Sequence, residues 1–388
     1  MKKKIDASAA IVLIVAAAFL TFALTYFFMQ STPGVKTKFE EALDVVESSY
    51  VGEVDRDALE EYAIAAMVDA LDDRWSYYLD ADTMVDYMLE SNNEYIGVGI
   101  TVKHTENGLA VVGVAPDSPA DRAGVIAGGL LESVDGVSVA GMSLEDAVDM
   151  VQNSLEDDEV TISIDTEGEI SEYTLGMETI YVNPVSFEMM DNIGYVLISN
   201  FDATAGDQFV VACVKLIEQG AEGLVFDLRF NYGGMLSELI TALDYLLPEG
   251  DIFLAKAKGA EMHVERSGES CVELPMAALV NSESYSAAEF FAAALQEYDW
   301  AEIVGEQTSG KGRAQITQML SDGSAIHISF TEYFTPSGAS LSETGVVPDI
   351  AVELDDEAWI ELYYGTLEPE ADLQLQAAIS AVKAEIAK

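Results

Sequence analysis

Positive charge is what this sequence has least of: 18 Lys and Arg stand against 69 Asp and Glu, for a net charge of −51. Binding to a phosphate backbone needs basic patches, so nucleic acid is a poor partner. The same acidity favours solubility, attracts cationic ligands or a positive partner surface, and says nothing about fold. Cysteine is nearly absent. Cys213 and Cys271 cannot build a disulfide framework, and Cys213 lies in an apolar helical run, so buried free thiols are expected, with one bridge left open. Histidine is as sparse. His104, His263 and His327 each sit in a strand-like stretch, none in a Gly-x-Ser-x-Gly or trypsin-like setting. A Ser-His-Asp triad is therefore not expected, and each histidine reads as a surface or packing residue. No CxxC, HExxH or clustered His/Cys spacing occurs, so no metal or other cofactor is expected.

Length and apolar content are abundant. With 388 residues, half of them hydrophobic, the chain can form two or three domains around a sizeable core. Lys2, Lys3 and Lys4 precede an apolar run from Ala7 to Met29, broken only by Ser8, Thr21 and Thr25. A helix of about 20 apolar residues crosses a bilayer, and the basic flank predicts a cytoplasmic N-terminus with the rest outside. A cleaved signal peptide would have an apolar core of about 7–15 residues and a small-residue cleavage site. No such site follows, so an uncleaved anchor is expected. Beyond Ser31-Thr32-Pro33-Gly34, Phe39, Leu43, Val46 and Tyr50 repeat at helical spacing, and a second helix is predicted from Asp57 to Leu71. Residues 93–178 read as short strands with glycine turns and one acidic amphipathic helix, Ser143 to Asn153. Thereafter strands (Ile193–Ser199, Leu224–Leu228, Ala277–Val280, Glu302–Val304) alternate with helices (Gly206–Gln219, Leu236–Leu246, Ser286–Glu297). That alternation argues for an α/β layer on a mostly parallel sheet. Ser324–Phe330 and Glu332–Thr335 add later strands, and Asp372 to Ala387 is a helix that packs on the core or on a second copy.

The chemistry concentrates between Ala278 and Gln315. Ser286 falls at the N-cap of an apolar helix, where unpaired N–H groups and the positive dipole end suit a developing oxyanion; the plainer reading is a cap alone. Lys311 lies between Gly310 and Gly312, whose freedom lets the backbone aim the lysine inward. A serine beside a lysine base is an established form of activated nucleophile. Such a lysine must be neutral, about three units below its ordinary pKa of about 10.4, and burial supplies shifts of that size. Lys311 is therefore expected to be enclosed, with Gln315 and Ser286 as polar neighbours and no carboxylate in contact.

Ser286-Ala287-Ala288-Glu289 followed by Gly305-Glu306-Gln307-Thr308-Ser309-Gly310-Lys311-Gly312 resembles the active-site signature of the carboxyl-terminal processing, or tail-specific, proteases. Ala288 replaces a usual Ser, and Gln307 a usual Pro. The resemblance implies Ser286 as nucleophile, Lys311 as general base and Gln315 as orienter of the lysine. Leu224 to Gly234 resembles the family's Asp-Leu-Arg-x-Asn-x-Gly-Gly motif. It implies an oxyanion hole from the N–H groups of Gly233, Gly234 and Ala287, with Asp227 and Arg229 pairing nearby in a structural role. Tyr333–Gly338 and Gly345–Ile350 resemble the end of the same core. Residues 93–178 resemble a PDZ domain. Tyr95-Ile96-Gly97-Val98-Gly99-Ile100 is similar to its carboxylate-binding loop, where N–H groups hold a peptide's C-terminus and the next strand pairs with it. Leu71 to Leu79 resembles a joining segment with a structural role.

The implied fold class is α/β: a mostly parallel, ClpP/crotonase-like protease core (179–353) with an inserted PDZ domain (93–178). Around these lie an N-terminal transmembrane helix (1–30), a helical region (35–92) and a C-terminal helical tail (354–388). The implied function is a membrane-anchored, extracytoplasmic serine endopeptidase of a bacterial cytoplasmic membrane, acting on protein or peptide substrates with free C-termini, with homo-oligomerisation left open. The rival is an inactive PDZ adaptor that tethers C-termini at the membrane. Retention of Ser286, Lys311 and both glycines argues against it.

Overall fold

The structure, a computed structural model, describes residues 37–105, 107–154 and 159–388, so the expected anchor at 1–30 lies outside the described residues. Among the described residues no helix is long and apolar enough to cross a membrane. The chain divides after Met67 into two compact units. In the first, Thr37 caps the helix Lys38–Ser49 reciprocally with Glu40, satisfying two N–H groups that a helix start leaves unpaired. The next helix, Arg56–Asp69, begins there, and Phe39, Val46 and Tyr50 remain exposed.

The second unit is built on a six-stranded sheet in the order Val185–Met190, Ile193–Ile198, Gly223–Asp227, Met276–Val280, Glu302–Gly305 and Ile350–Ala351. The first pairing is antiparallel and the other four are parallel. Both faces are covered, which explains why the middle strands read as unbroken apolar runs. Leu224, Phe226, Met276, Ala278 and Val280 face one core, with the helices Ala205–Glu218, Leu236–Leu246 and Ala287–Glu297. Val225, Ala277, Leu279 and Val304 face the other, against Leu375, Ala378 and Val382 of the C-terminal helix Leu373–Ile386. The tail thus packs on its own core. Its attachment is electrostatic as well: buried Arg229 pairs with Asp227 at 2.6 Å and with Asp372, the helix N-cap, at 2.8 Å. Cys213 is buried in the helix Ala205–Glu218, and both Cys213 and Cys271 are free thiols.

A second, antiparallel sheet runs Tyr77–Leu79, Ala325–Phe334, Gly250–Ala257 and His263–Ser267, with Arg313–Met319 also on Ala325–Phe334. The two strands expected between Ser324 and Thr335 are one. Arg313–Met319 pairs with residues 325–332 and Gly250–Ala257 with residues 331–334, so the ladders overlap and hold the strand extended throughout.

Ile100–Thr105, Gly108–Val114, Leu130–Val134, Glu159–Thr166 and Glu169–Gly176 form a third, antiparallel sheet with its own core around Val111, Val134 and Ile162. The chain enters and leaves this region through paired strands, Glu94–Gly97 and Glu178–Tyr181. Ile100–Thr105 is an edge strand beside the helix Leu144–Asn153.

Phe291 is the keystone of the helical core. Its ring meets those of Phe201, Phe209 and Phe226 at 5.7, 5.7 and 5.6 Å. Truncating a fully buried phenylalanine costs about 3–5 kcal/mol. Phe291→Ala is therefore expected to lower unfolding free energy by about that amount in a denaturant titration, and an unchanged midpoint would contradict this packing.

Candidate active site

Strand Met276–Val280 ends in a turn closed by Asn281 and Ser284. Asn281 Oδ1 accepts from Phe230 N–H at 3.0 Å, and Ser284 Oγ donates to the Leu228 carbonyl at 2.8 Å. The turn delivers Ser286 at the N-cap of Ala287–Glu297 with φ 58° and ψ −124°. A non-glycine residue there is strained by about 1–3 kcal/mol, so surrounding bonds must hold it. One holder is Glu289, which is fully buried. Its carboxylate accepts from Ser286 N–H at 2.9 Å, Thr308 Oγ1 at 2.6 Å, Gly310 N–H at 2.7 Å and Lys311 N–H at 2.8 Å. One side chain thereby fixes the serine turn and the lysine loop together.

Lys311 and Ser286 line one cavity of about 870 Å³, together with Gln315, Gly234 and Ala287. The lysine amine sits 4.4 Å from the Trp75 ring centroid and 5.5 Å from that of Tyr285. Among the described residues it forms no ion pair and no hydrogen bond to Ser286. Burial lowers its pKa to about 8, while Glu289 and Asp73 pull upward and Arg74 downward. The expected enclosure is present, but a carboxylate is nearer than expected. Glu289 accepts from the lysine's backbone N–H while it also accepts from that of Ser286.

The glycine loop is also more specialised than expected. Gly233 N–H donates to Asn231 Oδ1 at 2.8 Å, so it is already engaged. Gly233 instead supplies room. At its φ of 95°, a Cβ would lie 2.7 Å from Ser286 Cβ and 2.9 Å from Ala287 N, which only glycine tolerates. Gly234 and Ala287 line the cavity itself. The Gln315 amide nitrogen donates to Ser329 Oγ at 3.0 Å and the Arg313 carbonyl at 3.1 Å, not to Ser286 or Lys311.

The profile of Peptidase family S41 matches residues 192–352, a PDZ domain profile matches 111–165, and that of the activating protease CtpB N-terminal domain matches 28–83. A carboxy-terminal-processing protease of Bartonella bacilliformis is 32% identical over 335 residues, covering 84% of this chain and 76% of that protein. The chain belongs to this family. A probable CtpA-like serine protease of Staphylococcus aureus is 28% identical over 320 residues, covering 81% of this chain; the match spans 64% of the Staphylococcus protein. Among solved structures, the photosystem II D1 C-terminal processing protease superposes with a TM-score of 0.50 at 26% identity, covering 87% of this chain and 93% of that one.

This member of the S41 family carries cavity residues that sequence reasoning missed. Trp75, Tyr77 and Arg74 come from the joining segment expected to be only structural. His327 lines the cavity too, stacked on Tyr77 at 4.6 Å, with its ionisation lowered to about 4 by burial and by Lys311. It stands neutral there. Asp202, its ionisation raised to about 6 by burial, accepts from Tyr232 Oη at 2.8 Å. None of these has a local motif; the chain brings them together over long separations.

In the PDZ domain, Tyr95, Ile96 and Gly97 are paired with Ile180, Thr179 and Glu178. The Val98 and Gly99 carbonyls accept from Ala120 and Ala115 N–H at 3.0 and 2.8 Å. Ile100 begins the edge strand, and among the described residues the far side of that strand is unpaired. The six residues thus divide between a ribbon and the start of the edge strand beside the helix Leu144–Asn153.

Glu289→Gln tests the clamp. The amide places N–H groups against donors that need an acceptor, and each buried donor left unsatisfied costs about 1–3 kcal/mol. Loss of stability in that range, together with loss of turnover, is expected in paired denaturant and kinetic measurements. Wild-type values for both would show that Glu289 is dispensable.

Proposed function

We propose that this chain is a serine endopeptidase working through a Ser286-Lys311 dyad on substrates presented by their C-terminal tails. The observation that carries the reading is the shared cavity, which a strained serine and an enclosed lysine amine both line. Ser286 Oγ attacks a peptide carbonyl and its proton passes to the Lys311 amine. The N–H groups of Gly234 and Ala287 receive the oxyanion. Gly233 keeps the approach open, and Gln315, whose side-chain nitrogen is spent on Ser329 and Arg313, offers its side-chain amide oxygen to the lysine. Lys311 then returns the proton to the leaving amine. Water attacks the acyl-serine as Lys311 takes its proton; Lys311 passes that proton to Ser286 Oγ as the acyl–oxygen bond breaks, and the product acid leaves and ionises in solvent.

The PDZ edge strand and the Val98-Gly99 turn are read as the tail receptor, extended by strand pairing with the peptide. Lys2–Lys4 and the apolar run to Met29 support an anchored enzyme with its catalytic region outside the cytoplasmic membrane. Self-association stays open within this reading.

Two results are expected with an unstructured protein substrate. Ser286→Ala abolishes cleavage while leaving tail binding intact, and amidating the substrate C-terminus weakens both binding and cleavage, since the bonds lost are charge-assisted. For wild type, kcat/KM is expected to fall as pH drops below about 8, because protonation removes the lysine base. Cleavage by Ser286→Ala at the wild-type rate would refute the nucleophile. A rate that stays level down to pH 5 in folded protein would refute the lysine base.

A further inference from the structure

Residues 73–77 form a strap that the dyad alone does not explain. Asp73 pins it: the carboxylate accepts from Ser76 Oγ at 2.6 Å and Trp75 N–H at 3.3 Å. Ser76 Oγ in turn accepts from Ser329 N–H at 3.0 Å, and Tyr77–Leu79 continues into the sheet against residues 325–327. This anchoring fixes the Trp75 indole. Two cations lie near its ring, the Arg74 guanidinium at 4.2 Å and the Lys311 amine at 4.4 Å. The Tyr285 ring stands 5.6 Å from that of Trp75, so the amine has an aromatic ring from each of two segments beside it.

The charged and titratable groups around the amine come from every element packed there. Asp73 and Glu289 favour the ammonium and Arg74 opposes it, while Tyr285 and the neutral His327 complete the wall. An aromatic face attracts a cation, an effect of about 1.5 pK units or somewhat more when desolvated. Exclusion of water works against the cation by up to about 3–5 units. Exclusion therefore wins, and Arg74 already occupies the same ring with a permanent charge.

We propose that Trp75 is a positioning residue whose ring, beside that of Tyr285, shields the Lys311 amine from water, with Arg74 discouraging a second positive charge there, so that the lysine stands ready to accept a proton. The strap is thus part of the base assembly, although it comes from a different part of the sequence. This inference rests on the Ser286-Lys311 reading but is tested apart from it.

The test uses the full chain with Trp75→Ala, Trp75→Phe and Arg74→Gln, each checked for a wild-type circular dichroism spectrum. Two quantities are measured from pH 6 to 10.5: kcat/KM, and acetylation of Lys311 by acetic anhydride in a Ser286→Ala background, read by peptide mass spectrometry. Only the free amine reacts, so acetylation reports the lysine's ionisation without any need for activity. Trp75→Ala is expected to raise both midpoints by about one unit, cutting kcat/KM about tenfold at pH 7 with recovery above pH 9.5. Trp75→Phe restores most of the wild-type profile, and Arg74→Gln shifts it the same way by about half a unit. An acetylation midpoint unchanged in both Trp75→Ala and Arg74→Gln would overturn the proposal and leave the strap merely structural. Cleavage surviving in Ser286→Ala would sink the nucleophile instead, and the acetylation shift would still decide the role of the strap.

Discussion

A carboxylate buried without a countercharge needs hydrogen bonds to survive, and in this fold the carboxylate of Glu289 is held by four donors. Removing such a group from water costs several kcal/mol. Each hydrogen bond to a charged group returns about 1.5–3 kcal/mol net. Four of them offset the cost, and they do so only while the serine turn and the lysine loop keep their places. The serine turn, the lysine loop and the buried Glu289 side chain therefore hold one another in place. That mutual dependence lets Ser286 hold a strained backbone angle that an isolated helix start would relax.

The same carboxylate sets a problem for the lysine, since its charge favours the ammonium. The fold answers with burial and with a second cation. Desolvation is the largest influence on Lys311, and Arg74, which lies over the same Trp75 ring, adds to it. The large acidic excess of the chain acts mostly from the surface, where charges beyond about 8–10 Å are screened. The Lys311 amine is consequently governed by its immediate walls, which come from the strap, the serine turn and helix, and strand Ala325–Phe334.

Much of this architecture was legible because its signals are local. The alternation of apolar strands and helices placed the parallel sheet, an N-cap serine before an apolar helix placed Ser286, and two glycines around Lys311 marked the loop. What escaped depends on contacts distant in sequence. Glu289 is visible in the sequence as the fourth residue of a Ser-x-x-Glu capping pattern, yet nothing local says that it also holds Thr308, Gly310 and Lys311. Trp75 sits more than two hundred residues before the lysine it touches. The engagement of Gly233 N–H by Asn231 is invisible to a motif that records only residue types. The strand Ala325–Phe334 reads as two in the sequence, whereas partners on both sides keep it extended as one.

The central claim is that a neutral lysine hands Ser286 the role of covalent nucleophile. Rapid-quench mass spectrometry of the enzyme mixed with a peptide p-nitrophenyl ester tests it most directly. The account predicts a burst of one acyl group per chain, mapped to Ser286, whose formation rate rises through a single ionisation near 8. Hydrolysis of the ester without an adduct, or an adduct mapped to any other residue, would contradict it.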